Sequence, residues 1–132
     1  MTTVLTIGTF DTPHVGHVVF LRKCEQFGDR VIVGVNADAF VKEYKGAAPK
    51  FSEAERMSLI GLLGYETRLN DGPGHQLIAT VRPDFLVVGS DWATRDYHEQ
   101  IATTQEYLDE HGITLVFVPY TRGISSSRIK LN

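Results

Sequence analysis

Between residues 4 and 24 the pattern of the chain changes abruptly. An apolar run, Val4 to Ile7, leads through Gly8 into Thr9-Phe10-Asp11-Thr12-Pro13-His14-Val15-Gly16-His17. Beyond it Val18, Leu21 and Cys24 recur at helical spacing, with Phe20 and Phe27 widening the stripe. This order predicts a short strand that passes through a tight turn into a helix. Gly8 lets the backbone turn or approach a ligand closely, Pro13 fixes φ, and Gly16 leaves room between two histidines three positions apart. With Val15 onward helical, His14 and His17 share one side of the first turn, where free backbone N–H groups and the positive helix end favour an anion. A phosphate site at the carboxyl end of a strand is one reading. A metal pair, or two solvated surface histidines, fits the same spacing.

The 132 residues suffice for one core and predict one domain over 1–132. Hydrophobic residues make up 42% and charged residues 22%, which excludes a disordered chain. Neither a membrane-length apolar run nor a signal-like start is visible, so a cytoplasmic setting with no membrane span is the expectation. A single cysteine, Cys24, rules out an internal disulfide and sits on the apolar face of the first helix as a buried thiol. A formal charge of −3 argues against a protein devoted to nucleic acid, but not against a small polyanionic ligand.

After a turn at Phe27-Gly28-Asp29, Arg30 to Val35 reads as a second buried strand, completing a βαβ unit and hence a parallel sheet. Ligands of such sheets bind beyond the carboxyl ends of the strands, where Asn36 and Asp38 fall, as ligand contacts or as turn and capping residues. Periodicity then fades over residues 41–51, which predicts a mobile basic loop containing Lys42, Lys45 and Lys50. Ser52 and Glu55 form a capping box for a helix that buries Met57, Ile60 and Leu63. A turn-rich loop from Asn70 to Gly74 precedes a short helix from His75, with Leu77, Ile78 and Val81 inward. Phe85 to Val88 is the next strand, and Gly89-Ser90-Asp91-Trp92 lies at its carboxyl end. One helix marked by Ile101, Tyr107 and Leu108 is expected to end near Gly112. Thr114 to Val118 is the last parallel strand, and three serines then open a short terminal helix. The fold expected is α/β: a Rossmann-like parallel sheet flanked by helices.

The stretch Gly-Thr-Phe-Asp-x-x-His-x-Gly-His at Gly8, Thr9, Phe10, Asp11, His14, Gly16 and His17 closely resembles the signature of the small nucleotidyltransferases that include glycerol-3-phosphate cytidylyltransferase. The resemblance runs on in order through a lysine loop at Lys45, a Glu-x-Arg helix at Arg56, an Asp-Trp edge at Asp91 and Trp92, and Gly123-Ile124-Ser125-Ser126-Ser127. It implies that His14 and His17 hold the α-phosphate of a Mg²⁺-bound nucleoside triphosphate. Lys45, Ser126 and Arg128 would meet the leaving pyrophosphate, and Arg56 would orient phosphate. Thr9 and Asp11 would support the loop or the metal-nucleotide. Asp91 would hold the donor site or the following loop, and Trp92 would cover a ligand or a subunit contact. CTP with glycerol 3-phosphate is the favoured pair; ATP with another small phosphorylated acceptor is the rival, and a nucleotide-sensing domain a third reading. The family also implies a homodimer. Departures fall on the acceptor side: Gly64 stands at an arginine position and Thr67 at an aspartate position, with Arg68 a candidate replacement. Ser90 replaces an aspartate, and Tyr120 replaces an arginine for which Arg122 is the substitute.

Overall fold

Five short strands, β1 (Thr3–Gly8), β2 (Arg30–Asn36), β3 (Glu66–Asn70), β4 (Phe85–Gly89) and β5 (Thr114–Val118), pair in the order β3-β2-β1-β4-β5, all parallel. The computed structural model describes residues 1–12 and 14–119. β1 and β2 pair from Thr3 opposite Arg30 to Gly8 opposite Val35, so both strands end level with each other. Their apolar runs reflect burial on both faces, as a parallel sheet requires.

One face packs against α1 (Val15–Cys24) and α3 (Glu53–Leu62), through Val4, Val33, Val35, Leu21, Cys24 and Ile60. The opposite face packs against α4 (His75–Val81), α5 (Tyr97–Gln100) and α6 (Gln105–Glu110), through Leu5, Ile32, Leu86, Ile78, Ile101 and Leu108. Burial pushes the Cys24 thiol up to about 12, as expected of an inert core cysteine. Ser52 caps α3 through the Glu55 N–H, and Glu55 returns a bond to the Ser52 N–H. Among the described residues, no helix is long and apolar enough to cross a membrane.

Two expectations are corrected. Of the stretch read as a mobile loop, residues 41–45 instead end a helix, α2 (Asp38–Lys45), closed by Gly46 at φ 84°, a left-handed cap that suits glycine, while residues 46–51 are irregular. Its period is hard to read because Val41 is its buried residue, while Phe40 and Tyr44 line a cavity instead of the core. The long helix expected before Gly112 is two short ones. Ala102 takes φ 50° between them, and Thr104 restarts the second by accepting the Tyr107 N–H.

Candidate functional site

The chain builds outward from β1 to β2 and β3, then returns to the other side of β1 for β4 and β5. A cavity of about 540 Å³ opens at that reversal, over the carboxyl ends of β1, β2 and β4. Ligands of open α/β sheets bind at such a switch point.

Its floor is the turn after β1. Phe10 is buried at φ 54°. A Cβ on Gly8 would come within 2.9 Å of the Phe10 ring, so glycine is what lets that ring fold back. The ring then meets His17 edge-on, with centroids 5.7 Å apart.

The two histidines close the helix N-terminus on themselves. His14, extended at φ −141°, is the N-cap of α1; its Nδ1 accepts the Gly16 N–H at 3.0 Å. His17 Nδ1 in turn accepts the His14 N–H at 3.1 Å. This is a capping box made of imidazoles. Because each Nδ1 is an acceptor, the proton of each neutral ring sits on Nε2, and each ring keeps one N–H donor for a ligand. His17 lines the cavity, with the His14 ring centroid 4.3 Å away. Burial first, and the His14 charge second, hold the His17 imidazole down at about 4. A second proton would also destroy the bond from His14 N–H and add charge at a positive helix end.

A pH prediction follows. Between about pH 6.5, where an unfolded histidine titrates, and about pH 4, the unfolded chain binds a proton at His17 that the folded chain refuses. Stability contributed at this position therefore falls as pH falls through that window. In denaturant unfolding, the stability of wild type relative to His17→Gln should decline from pH 7 to pH 4.5. A pH-independent difference would contradict this tautomer and its cause.

A second ring of contacts holds the floor in place. Asp11 Oδ2 accepts the Lys50 N–H at 2.8 Å and Oδ1 the Phe51 N–H at 3.1 Å, tying the α2–α3 connection to the histidine turn. Burial pulls the Asp11 carboxyl upward, but these N–H groups, that of Thr12 and the Arg56 charge leave it below the usual carboxylate range. Asn36, at the end of β2, donates from Nδ2 to Thr9 Oγ1 at 3.2 Å and accepts from Asn70 Nδ2 at 2.9 Å. Thr9 Oγ1 also lies 3.1 Å from the Tyr44 hydroxyl, fastening α2 to the floor.

Arg56 corrects the sequence-based expectation. It is fully buried, and four of its N–H donors are engaged. NH1 serves the carbonyls of Thr9 and Asn36, both at 2.8 Å; Nε serves that of Phe51 at 3.0 Å; NH2 serves Asp38 Oδ1 at 2.7 Å. It does not line the cavity. Three carbonyls converge where strands and loops end without ladder partners, and a guanidinium supplies donors in the required fan. In this arrangement Arg56 positions the site instead of touching phosphate.

The walls come from two short elements. On one side stand Phe40, Tyr44 and Lys45 of α2; on the other, Asp91 and Trp92 of the 3-10 turn Ser90–Thr94, then Arg95 and Tyr97. Gly8, Thr9, Phe10, Asp11, His17, Lys45, Asp91 and Trp92 thus meet around one cavity, with Gly16 buried in the adjoining helix turn. Arg122, Gly123, Ile124, Ser125, Ser126 and Arg128 lie outside the described residues. Sequence reasoning did not single out Phe40, Tyr44 or Arg95. The first two occupy the irregular lysine-rich stretch, and Arg95 follows a 3-10 turn with no hydrophobic period. Arg68 does not replace the missing acceptor-side arginine: its NH2 is bonded to Glu66 at 2.8 Å, and it does not line the cavity.

Residues 5–132 match the family model described as cytidylyltransferase-like. The bifunctional protein HldE of Syntrophotalea carbinolica is 33% identical over 132 residues, and that of Proteus mirabilis 37% over 130. These matches take in 97% and 96% of this chain, but it spans only about a quarter of either relative (26%). Among solved structures, a lipopolysaccharide core biosynthesis protein from Thermoplasma volcanium superimposes with a TM-score of 0.71 at 28% identity, covering 92% of this chain and 97% of that one. A pantoate-β-alanine ligase from Francisella tularensis shares the fold alone, with a TM-score of 0.61 at 15% identity over 99% of this chain and 66% of that one. With its parallel sheet, its switch-point cavity and a family match over nearly its whole length, the chain belongs to the cytidylyltransferase-like family of nucleotidyltransferase enzymes.

Proposed function

We propose that this protein transfers a nucleoside monophosphate from a nucleoside triphosphate to a small phosphate monoester and releases pyrophosphate. The observation that carries the reading is the imidazole capping box at the N-terminus of α1, which leaves each Nε2 outside the cap and sets the His17 ring on the floor of a switch-point cavity, with the His14 ring centroid 4.3 Å away. An acceptor phosphate oxygen attacks the α-phosphorus, the bond to the bridging oxygen breaks, and that oxygen leaves with pyrophosphate. Donors fixed in advance stabilise the charge that builds on the α-phosphoryl oxygens. No covalent enzyme intermediate is needed, because the acceptor is itself the nucleophile. Lys45, with Ser126 and Arg128, would meet the leaving pyrophosphate.

Among the described residues, no three His, Cys, Asp or Glu side chains gather as a metal cage. The carboxylates on the cavity are Asp91 and Asp11, and both Asp11 oxygens already accept backbone N–H groups. Such a donor set fits Mg²⁺ carried in by the triphosphate, with Asp91 the residue to meet it. The ion would supply charge neutralisation of the phosphates.

CTP with glycerol 3-phosphate is the pair favoured by the Gly8-to-Asp11 start. A second reading, ATP with a sugar phosphate, draws on two observations. The acceptor-side charges of the glycerol-phosphate pattern are missing: Gly64 is an exposed turn residue at φ 99°, and Arg68 is bonded to Glu66. The 28% identical neighbour is a protein of lipopolysaccharide core biosynthesis. The homodimer belongs to the same family reading. Pyrophosphate release, measured with Mg²⁺ for CTP and ATP against glycerol 3-phosphate and a panel of sugar phosphates, tests the proposal. Release from one donor with one acceptor class is the expected result. ATP turnover with a sugar phosphate selects the second reading, and nucleotide binding without release from any pair would replace both with a sensing role.

A further inference from the structure

The two walls of the cavity are held in different ways. On one, Arg95 is laid against Trp92, its guanidinium carbon 5.3 Å from the ring centroid. The other is tied to the floor by a series of side-chain hydrogen bonds that crosses the carboxyl ends of three neighbouring strands, β3, β2 and β1. It begins at the Gly72 carbonyl, which accepts from Asn70 Nδ2 at 2.7 Å. Asn70 Nδ2 also donates to Asn36 Oδ1 at 2.9 Å, and Asn36 Nδ2 donates to Thr9 Oγ1 at 3.2 Å. The series ends at the Tyr44 hydroxyl, 3.1 Å from Thr9 Oγ1. We infer that Asn70, which does not line the cavity, is a positioning residue of the transfer reaction: through Asn36, and with Tyr44, it fixes the direction in which the Thr9 hydroxyl donates to substrate phosphate. This rests on the proposed reaction and adds to it a residue that acts on the site from outside.

The direction follows from counting protons. A carbonyl only accepts, so the group that Asn70 turns to Gly72 is its NH2, and both protons of that NH2 are spent, one on Gly72 and one on Asn36. Asn36 therefore presents its oxygen to Asn70. Its own NH2 is left facing Thr9, which has to accept. Of two hydroxyls in contact the phenol is the stronger donor, so Tyr44 gives its proton to Thr9 as well. Both lone pairs of Thr9 Oγ1 are then filled, and its proton takes the one direction that remains. Among the described residues nothing accepts that proton, and Thr9 lines the cavity with Asp11 and His17. A donor fixed in advance needs no reorganisation as charge builds on a phosphoryl oxygen. The two amides that set it are themselves held: Asn36 and Asn70 lie opposite each other in the β2–β3 register and are 6% and 2% exposed, so water does not compete for the bond between them.

The test is a double-mutant cycle on the full chain, with Asn70→Ala and Thr9→Val made singly and together. In the pyrophosphate-release assay, Thr9→Val should lower kcat by about 10²-fold, as the loss of one aimed donor does. Asn70→Ala should lower it by about 3- to 10-fold, the range of one neutral hydrogen bond. In the Thr9→Val background Asn70→Ala should cost less than about twofold, because no hydroxyl is left to direct. Equal losses in both backgrounds make Asn70 structural only and overturn the assignment, as does no loss beside an intact Thr9. If Asn70→Ala does not fold, Asn36→Asp takes its place in the cycle. That change keeps the bond from Asn70 but turns an acceptor toward Thr9, which draws the Thr9 proton out of the cavity. Its added charge acts in both backgrounds, whereas the diverted proton counts only where Thr9 is present. A larger loss beside Thr9 is therefore expected, and equal losses overturn the assignment. If wild type turns over no substrate pair, the proposed reaction fails, and the same cycle is read by calorimetry with non-hydrolysable CTP and ATP analogues. Weaker binding that disappears in the Thr9→Val background keeps the positioning role. Equal weakening, no weakening, or no binding by wild type overturns it.

Discussion

His17→Ala is expected to slow pyrophosphate release by about 10²- to 10³-fold, the usual cost of removing one donor aimed at developing charge. The loss should fall mainly on kcat, because the Nε2–H is placed for the transition state more than for the bound nucleotide. The substitution also leaves the His14 N–H without the acceptor it has at 3.1 Å, so a stability loss of about 0.5–2 kcal/mol should accompany it. His17→Gln separates the two effects. Glutamine at the third helical position is a normal capping-box partner, so it should restore the melting temperature while recovering only part of the rate. Steady-state kinetics and thermal melts on the same preparations read both. An alanine variant with wild-type kcat would remove His17 from the chemistry.

Arg56→Ala should destabilise the fold by about 3–5 kcal/mol, because it strands the Thr9, Asn36 and Phe51 carbonyls and leaves the Asp38 carboxylate without its partner. For a chain of this size the melting temperature should drop on the order of 10–20 °C. Arg56→Lys should be intermediate, since one ammonium cannot reach four acceptors spread over three segments. The two possible roles predict different readouts. A residue that only held substrate phosphate would shift a substrate KM and leave the melt alone. A residue that positions the floor lowers the melt first, and kcat follows in the lysine variant as the histidine turn loosens.

The sheet and the histidine turn were legible because a single kind of signal wrote each of them. Strands buried on both faces read as apolar runs, and the glycine, proline and paired histidines between Ile7 and Val18 fit a strand-to-helix turn. Other parts were hidden for definite reasons. α2 turns its aromatic residues toward a ligand space, so the stripe that marks a core-facing helix is thin there. Arg56 carries a charge that suggests an anion, but its surroundings are carbonyls left over at strand ends, which no local pattern records. Arg95 gains its place from Trp92, three residues earlier and across a turn with no repeat. The capping box at Ser52 and Glu55 shows the opposite case, in which a bond three residues long is fully written in the sequence.

The contacts that hold the floor run through backbone groups and through Asp11, Asn36, Arg56 and Asn70, whereas the walls rise from an eight-residue helix and a five-residue 3-10 turn. Floor and walls can therefore diverge at different rates. Exchanging Phe40, Tyr44 or the segment around Trp92 alters the outline an acceptor must match while leaving the phosphate-handling turn braced from behind. An architecture of this kind lets one reaction be carried to many acceptors, and it marks those two short elements as the place to redesign substrate choice.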